Sequence, residues 1–553
     1  KPEDIRGPQE PLTVRLFVVV SDHDRGLVAK IHGRSHTDPD TGVITARFEN
    51  NPEVPFDRLR LSFKPGPRAL LRTPQRCGPP AGGWTGTFTP WSAAYGGGGP
   101  SKARGGNFGF DLNCAFGFNP EPETGMDRRQ GGSYGTFSFE FTRRDGEQWV
   151  NGLSIELPKG LLAAVRGVPL CSSAEAAANA CPAGSRIGSV DATAGVGDPF
   201  VIERKGSVYL TESYKGAPYG LAVSVPVEAG PFRGPLALAP LVVRQQLQID
   251  PSDASVTAVS DPIPHLWHGI PLAVRRVLVT VDRDRFTVNP TSCSPKKIDT
   301  TFSSPYGASV TKGKAFQATE CARLGFRPRL TMRLVGRRQT TTGRHPGIRA
   351  RVRQRRGEAG VRRAVVRLPR SLALDVENAQ ALCEYEDGIK PDLENHCPKG
   401  SIIGRARAVS PLLKRPLVGD VYFVKNIRID PETGNTIRTL PMIIAALRGE
   451  VAINLRGNSN VGRANKLVTT FARVPDAPIS RFALNVKGGR NGIIAVTRTR
   501  RNTIDICRSP QFADTAFTGQ NGRFYDRNTR MKTPPCIKKK GKRKAGVRRA
   551  AGR

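Results

Sequence analysis

Long apolar runs and long helical patterns are both missing from this chain of 553 residues. No apolar run reaches about 18 residues, so the sequence predicts no helix that spans a membrane. Instead, 59 glycines and 45 prolines break the chain into short apolar segments, a pattern typical of many short strands joined by turns. The first twelve residues, KPEDIRGPQEPL, are not a signal peptide. If the protein is exported, we expect its signal to have been removed or to lie upstream.

Patterns that carry catalysis or hold metals are scarce as well. The closest histidine pairs, His32 with His36 and His265 with His268, have no third ligand at a characteristic spacing. Residues 131–135, GGSYG, match the pattern GxSxG. They stand in a glycine-rich linker before a strand, whereas a nucleophile elbow lies between a strand and a helix. The sequence therefore predicts no enzyme, no catalytic residue, no metal site and no cofactor.

The ten cysteines are an even number, and no close CxxC pair of the kind found in zinc sites is present. Several of them recur at matched spacings along the chain. Matched spacing indicates a disulfide framework, which in turn indicates an oxidising compartment. The predicted disulfides are Cys77–Cys114, Cys171–Cys181, Cys293–Cys321, Cys383–Cys397 and Cys507–Cys536.

One stretch of the sequence occurs twice. The first copy is residues 157–188, LPKGLLAAVRGVPLCSSAEAAANACPAGSRIG, and the second is residues 368–404. Each copy contains a strand that ends in Leu-Pro, a cysteine, a short loop, Cys-Pro and a strand that contains Ile-Gly. In the first copy Ser172 and Glu175 stand three residues apart before an alanine-rich run. This is a capping-box pattern, which predicts one or two turns of helix inside the disulfide loop.

The repeat has a period of about 210 residues and sets the predicted domain organisation. We predict two full β units at 119–325 and 326–536, a partial β unit at 1–118 and a disordered basic tail at 537–553. The alternation in FSFEF returns in IRARVR with the same inward face. The predicted fold class is all-β, with tandem Ig-like β-sandwich domains and small disulfide-closed helical loops.

The partial unit lacks the counterparts of several strands of the full units, which leaves three alternatives open. Lys1 is a truncation point, or a neighbouring molecule supplies strands, or residues 12–118 close a smaller sandwich alone. An uncovered strand edge favours pairing with another chain. Self-association through β-strand edges is therefore one predicted partner interaction.

Positive charge dominates the sequence, with a formal net charge of +38. An anionic polymer is the second predicted partner. The candidate contact residues lie in two regions, the strand at 349–353 and the basic tail at 537–553. Segment 327–367 has no aromatic residue for stacking on bases, so specific nucleic-acid binding is not expected. A solvated face is the alternative for the strand arginines. The candidates are Arg349, Arg351, Arg353, Lys538, Lys539, Lys540, Lys542, Arg543 and Lys544.

The motifs LPKGL, PLC, CP, SRIG, YKGAPYGL and FTVNPTSC resemble those of long secreted tandem-repeat surface proteins of actinobacteria. The resemblance covers nearly the whole chain. It implies secretion, tandem β domains and paired cysteines, and it supplies no catalytic or ligand-binding residue. The second unit departs from it by losing YKGAPYGL and by a longer cysteine loop.

These observations predict a secreted or cell-wall-associated structural or adhesive protein of the cell surface or extracellular matrix that assembles into a polymer. The alternative is a binding module for anionic cell-wall or glycan polymers that acts through basic strands and the tail. A third and weaker interpretation, a glycan hydrolase, would need paired carboxylates on facing strands.

Overall fold

A computed structural model describes residues 13–53, 57–66, 69, 71, 75, 83–95, 101–107, 116–202, 204–228, 238–429, 436–497 and 504–536. The described N-terminal part contains one three-stranded antiparallel sheet and one hairpin. The strands of the sheet are β1 (Thr13–Asp22), β2 (Leu27–Thr37) and β3 (Ile44–Phe48), and the strands of the hairpin are β4 (Gly83–Phe88) and β5 (Lys102–Asn107).

The next part of the chain forms a large antiparallel sheet, called the first sheet below, and several small β elements. Its strands are β6 (Glu121–Met126), β7 (Tyr134–Gly135), β8 (Phe137–Thr142), β9 (Gly152–Glu156), β10 (Leu162–Ala163), β11 (Arg186–Ala194), β12 (Phe200–Val201), β13 (Gly206–Thr211), β14 (Tyr219–Val227), β15 (Leu238–Ile249), β16 (Val256–Ser260), β17 (Leu266–Trp267), β18 (Ile270–Pro271), β19 (Val274–Val281), β20 (Thr287–Val288), β21 (Lys296–Ser303) and β22 (Ser309–Phe316).

The C-terminal part forms a second large sheet, which closes on itself. Its strands and those packed beside it are β23 (Arg329–Val335), β24 (Gly347–Arg353), β25 (Val361–Arg367), β26 (Leu372–Leu374), β27 (Ile402–Val409), β28 (Leu417–Ile429), β29 (Thr436–Leu447), β30 (Ile453–Val461), β31 (Leu467–Phe471), β32 (Arg481–Val486), β33 (Ile494–Val496), β34 (Gln511–Gly519) and β35 (Phe524–Lys532).

The two large sheets have strands in the same order. The first runs β6-β8-β19-β11-β13-β14-β15-β16-β9-β21-β22, and the second runs β23-β24-β32-β27-β28-β29-β30-β31-β25-β34-β35. Phe137 on β8 and Ile348 on β24 thus belong to strands that hold the same place in the two sheets. The division into domains at 118, 325 and 536 stays a prediction.

The two sheets differ in how their edge strands meet. In the second sheet β23 pairs directly with β35, in parallel, through Met332 and Met531. In the first sheet the edges meet through side chains, because Lys312 on β22 lies 2.8 Å from Glu121 on β6. Each sheet therefore curls around its own apolar interior. The predicted all-β class with disulfide-closed helical loops is confirmed.

The interiors follow the alternation of the sequence. On β8 the side chains of Phe137, Phe139 and Phe141 are buried, while those of Ser138 and Glu140 are half-exposed. Each buried phenylalanine removes a large apolar area from water, and each polar neighbour keeps its hydration, so this alternation fixes the register of the strand.

The predicted helix in the first disulfide loop is present as α1 (Ser173–Ala177), and a shorter helix, α2 (Tyr385–Gly388), stands in the second loop. Ser172 caps α1: its hydroxyl accepts from the Glu175 amide, and the Glu175 carboxylate accepts from the Ser172 amide. The hydrogen bonds that the Ser172 amide and hydroxyl donate to the Glu175 carboxylate hold its pKa below its usual value. The capping box predicted from the spacing is confirmed.

A buried polar contact joins the two large sheets. The Asp476 carboxylate, between β31 and β32, accepts hydrogen bonds from the Thr291 amide at 2.8 Å, the Thr291 hydroxyl and the Ser292 amide at 3.0 Å. The Thr291 hydroxyl in turn accepts from the Gly360 amide at 2.9 Å. We call this set the inter-sheet contact. Three hydrogen bonds satisfy a carboxylate that is largely removed from water.

Candidate functional site

Four of the five predicted cysteine pairs lie within the described residues and are disulfide-bonded. The structure joins Cys171 with Cys181, Cys293 with Cys321, Cys383 with Cys397 and Cys507 with Cys536. Cys77 and Cys114 lie outside the described residues. Asp505 stands beside the pair formed by Cys507 and Cys536. Because both sulfurs are bonded to each other, they offer no thiolate to a metal ion.

The arginines of β24 lie on the outer face of the second sheet. Arg349, Arg351 and Arg353 are all exposed, and the residues between them point inward. Their cross-strand neighbours are basic as well. On β23, Arg333 pairs with Arg349 and Arg329 pairs with Arg353.

The same basic surface continues across the other side of β24. On β32, Arg481 pairs with Arg353, and on β27 Arg405 and Arg407 follow in the same register. We call this surface the arginine face. It consists of eight exposed side chains on four adjacent strands: Arg329, Arg333, Arg349, Arg351, Arg353, Arg405, Arg407 and Arg481. Within the described residues, one of them has an ion pair, that of Arg405 with Asp420 at 3.1 Å.

The corresponding outer face of the first sheet has a different character. Its outward positions carry Glu121 and Glu123 on β6, Glu140 on β8 and Asp191 on β11. Each of these carboxylates pairs with a basic side chain: Glu121 with Lys312, Glu123 with Lys314, Glu140 with Arg276, and Asp191 with Lys205. Arg186 on β11 is exposed as well and lies 3.6 Å from Asp282. The equivalent strands of the first sheet thus present a mixed surface of paired charges, whereas those of the second sheet present a cluster of arginines.

The predicted contact residues of the tail, and two motifs that the sequence argues against as sites, complete the set of candidates. Lys538, Lys539, Lys540, Lys542, Arg543 and Lys544 lie outside the described residues, so the structure does not relate the tail to the arginine face. Ser133 of the GxSxG pattern donates its hydroxyl hydrogen to the Gln130 carbonyl at 2.7 Å. His265 stacks on Trp149 with ring centroids 5.1 Å apart. Both side chains make packing or turn contacts.

The three-stranded N-terminal sheet exposes apolar side chains. Within the described residues, β1 pairs with β2 alone, so its other edge has no strand neighbour there. Phe17, Val19 and Val28 lie on one face of this sheet and are 53%, 61% and 71% exposed. An exposed edge next to an exposed apolar face is a surface suited to association.

A large apolar cavity of about 1030 Å³ was not predicted from the sequence. It lies inside the first sheet and extends into the near end of the second. Along β14 its lining uses every second residue from Tyr219 to Val227. The matching side of β15 runs from Leu241 to Ile249.

The cavity continues across the boundary between the two sheets. Leu413 and Val451, from the second part of the chain, pack against the apolar cluster of the first sheet that includes Phe286. A hydrogen bond from the Tyr219 hydroxyl to the Glu450 carboxylate, 3.0 Å long, borders this junction. Burial raises the pKa of Tyr219 above its usual range, so this hydroxyl remains a donor.

Comparisons with known proteins add little to this description. No protein-family model and no curated protein matches the chain. Among solved structures, the chain is similar to the C-terminal domain of the AgI/II polypeptide BspA of Streptococcus agalactiae. That similarity has 8% sequence identity and a TM-score of 0.18, and it covers 75% of this chain and 100% of that one. A similarity at this level carries no argument about function.

Membrane attachment through a helix is not seen in the described part of the chain, where no helix is long and apolar enough to cross a bilayer.

Proposed function

We propose that the protein is an exported, disulfide-bonded β-repeat protein of the cell surface that adheres to anionic polymers through the arginine face. The observation that carries this proposal is the alignment of eight exposed arginines on four adjacent strands. The four disulfides support export, because such bonds persist in oxidising compartments. The resemblance of the repeat motifs to secreted surface proteins is consistent with the same location.

The geometry of the face matches a polymer better than a small anion. Neighbouring strands are about 4.8 Å apart, and alternate residues on one strand are about 6.7 Å apart. The guanidinium groups therefore form a two-dimensional array on one surface. Each guanidinium can bind a phosphate or carboxylate through two parallel hydrogen bonds. Several weak contacts along one polymer add up to useful affinity because the later contacts are intramolecular.

A solvated surface in an arginine-rich protein is the competing explanation. It predicts similar arginine content on equivalent faces of both sheets. At outward positions, the equivalent strands of the first sheet carry two arginines, Arg186 and Arg276, and both are ion-paired, which argues against it. The lack of aromatic side chains among the outward positions of β23, β24, β32 and β27 also argues against recognition of bases by stacking. The proposed contact is therefore with repeated charge.

Neutralising the centre of the arginine face should release the protein from its polymer. We expect the triple variant Arg349→Gln, Arg351→Gln, Arg353→Gln to bind cell walls that retain their anionic polymers roughly 10- to 100-fold more weakly. This follows because each cation near an anionic surface contributes roughly 1 kcal/mol. The measurement is co-sedimentation at about 50 mM salt, where exposed charges are weakly screened.

The matched control for this experiment removes the same charge from elsewhere on the second sheet. Arg362, Arg363 and Arg370 are exposed on or beside β25, which is four strands away from β24 in the closed sheet. The variant Arg362→Gln, Arg363→Gln, Arg370→Gln should bind within about threefold of the native protein, given that exposed single charges have small effects. Equal losses in the two variants would show that net charge alone governs binding. Equal binding to walls stripped of anionic polymer would contradict the proposal.

A second candidate function, self-association, is favoured by the exposed N-terminal sheet. Its proposed partner is a second copy of this chain, paired at the β1 edge and covering Phe17, Val19 and Val28. We expect the double variant Val19→Lys, Val28→Lys to have a lower average mass in light scattering than the native protein, because charges oppose burial of that face. The control is Val461→Lys, which changes an equally exposed valine on β30. A native protein that stays monomeric at high concentration would rule this function out.

A further inference from the structure

We propose that the apolar cavity is a binding site for the acyl chain of a lipid. The cavity is enclosed by the inward faces of the first sheet and by the near end of the second sheet. This inference is independent of the arginine face, because the cavity is lined from inside the sheets while the arginines point outward. The two proposals can therefore fail separately.

The shape of the lining indicates a long ligand. The nine residues of β14, Tyr219 to Val227, span about 26 Å at 3.3 Å per residue. The alternate residues along this whole strand line the cavity, and so do those of β15. A membrane acyl chain reaches across one leaflet, half of a hydrocarbon core about 30 Å thick. The first sheet alone is therefore long enough for such a chain, and the cavity then continues past Leu413 and Val451.

The chemistry of the lining selects hydrocarbon. On β14 and β15 its side chains are leucines, valines and an isoleucine, apart from Gln245 and Tyr219. The Tyr219 hydroxyl is already bonded to Glu450. A sugar or a peptide would lose its hydrogen bonds to water without replacing them, which is costly. An acyl chain loses none and removes its apolar surface from water.

The inward side chains also show that the described residues fill the interior incompletely. Val277, Val279 and Val281 on β19 line the cavity, yet each keeps part of its surface accessible. In a close-packed core such side chains would be covered. A flexible chain that enters the cavity can complete this packing.

One end of the cavity offers an entrance. Phe200 lines the cavity and is 50% exposed, and it lies in β12, a short strand that pairs with the C-terminal end of β11. Asp198, also in the lining, is exposed at the same place. The chain can enter here and leave its polar head in water, as amphipathic ligands do at the mouths of closed sheets. The proposed ligand is thus an amphiphile with one long unbranched chain.

The test uses the full protein after its lipids have been removed with a cyclodextrin. The probe is a neutral monoacylglycerol with a 16-carbon chain, chosen because a protein of net charge +38 adsorbs anionic lipids without any site. Native mass spectrometry should show saturable binding of one or two molecules. An eight-carbon monoacylglycerol should bind at least tenfold more weakly, because binding increases with each buried methylene.

Two matched pairs of variants locate the site. Val279→Trp and Leu247→Trp fill the cavity from β19 and β15, and each should weaken binding at least tenfold. Thr280→Trp and Gln248→Trp place the same side chain on the outward face of the same strands and should bind within twofold of the native protein. Circular dichroism and thermal unfolding check that each variant folds. If the inward variant of one pair does not fold, the other pair is used for the comparison.

Three results would overturn the proposal. The first is a native protein, freed of lipid, that shows no saturable binding of the 16-carbon probe. The second is equal affinity for the 16-carbon and eight-carbon probes, which would indicate surface adsorption. The third is equal loss in the inward and outward tryptophan variants. If neither inward variant folds, the titration of the native protein with the two probes decides.

Discussion

Replacing Phe302 by alanine is expected to lower the free energy of unfolding of the first sheet by about 3–5 kcal/mol, the usual effect of deleting a buried phenylalanine. The Phe302 side chain on β21 is completely buried. Its ring meets the edge of the Phe141 ring on β8, with centroids 5.7 Å apart. Such aromatic pairs contribute about 0.5–1.5 kcal/mol beyond the area they bury. The substitution thus removes both apolar burial and a specific contact.

Hydrogen exchange is the measurement that suits this prediction, because a chain with two large sheets need not unfold in one step. Amides of β9 and β21 should lose protection in Phe302→Ala. The control is Phe524→Ala, which removes a ring that is 76% exposed and should change stability by less than about 0.5 kcal/mol. Phe517→Ala, on the equivalent strand β34, should instead affect the second sheet. Loss of protection confined to the second sheet in Phe302→Ala would contradict the prediction.

Local patterns account for the part of the fold that was predicted from the sequence. The alternation FSFEF fixes which side of β8 is buried, because neighbouring side chains of a strand point to opposite faces. Ser172 and Glu175 define a helix start within four residues. The repeat then transfers these local conclusions from one sheet to the other. Each of these signals depends on residues that are close together along the chain.

The arginine face was predicted only in part because it depends on distant residues. IRARVR shows by itself that Arg349, Arg351 and Arg353 share one side of a strand. Arg329 and Arg481 become their neighbours only through the pairing of β23 and β32 with β24. Strand order and register across more than a hundred residues are set by the closure of the whole sheet. No local pattern contains that information.

The cavity was missed for a related reason. Alternation identifies an inward face, but the same face can meet another layer of side chains or an open space. Small inward residues such as Ala350, Ala364 and Ala408 line the near end of the second sheet. They were a signal of unfilled volume, since interiors are otherwise packed to crystal-like density. Their significance depends on the circumference of the closed sheet, which follows from its number of strands.

The inter-sheet contact supplies the second large effect. We expect Thr291→Val to destabilise the junction of the two sheets by roughly 2–4 kcal/mol, since leaving a buried polar group unpaired costs about 1–3 kcal/mol. The Thr291 hydroxyl bonds both the Asp476 carboxylate and the Gly360 amide, so its removal leaves two groups without that partner. Limited proteolysis near residue 326 and thermal unfolding measure the loss.

Ser292→Ala is the control for this substitution. The Ser292 amide still donates to Asp476 in that variant, and its own hydroxyl contacts Ser294 at an exposed position. The change in stability should therefore be small, within about 0.5 kcal/mol. If Ser292→Ala and Thr291→Val destabilise the protein equally, the shared hydroxyl is not the element that joins the sheets.

The same contact predicts a dependence on pH, which Asp476→Asn isolates. Burial raises the pKa of Asp476 above its ordinary value near 3.8, and this outweighs the hydrogen bonds that oppose it. A carboxyl whose pKa is raised on folding binds its proton more tightly in the folded protein. Its contribution to stability is therefore complete below about pH 3.9 and is lost as the pH rises through the folded pKa. The asparagine does not titrate. The melting temperature of the native protein, relative to that of Asp476→Asn in the same buffers, should fall as the pH rises above about 4. A difference that stays constant, or that grows with pH, would show that the ionised carboxylate is the form that the contact stabilises.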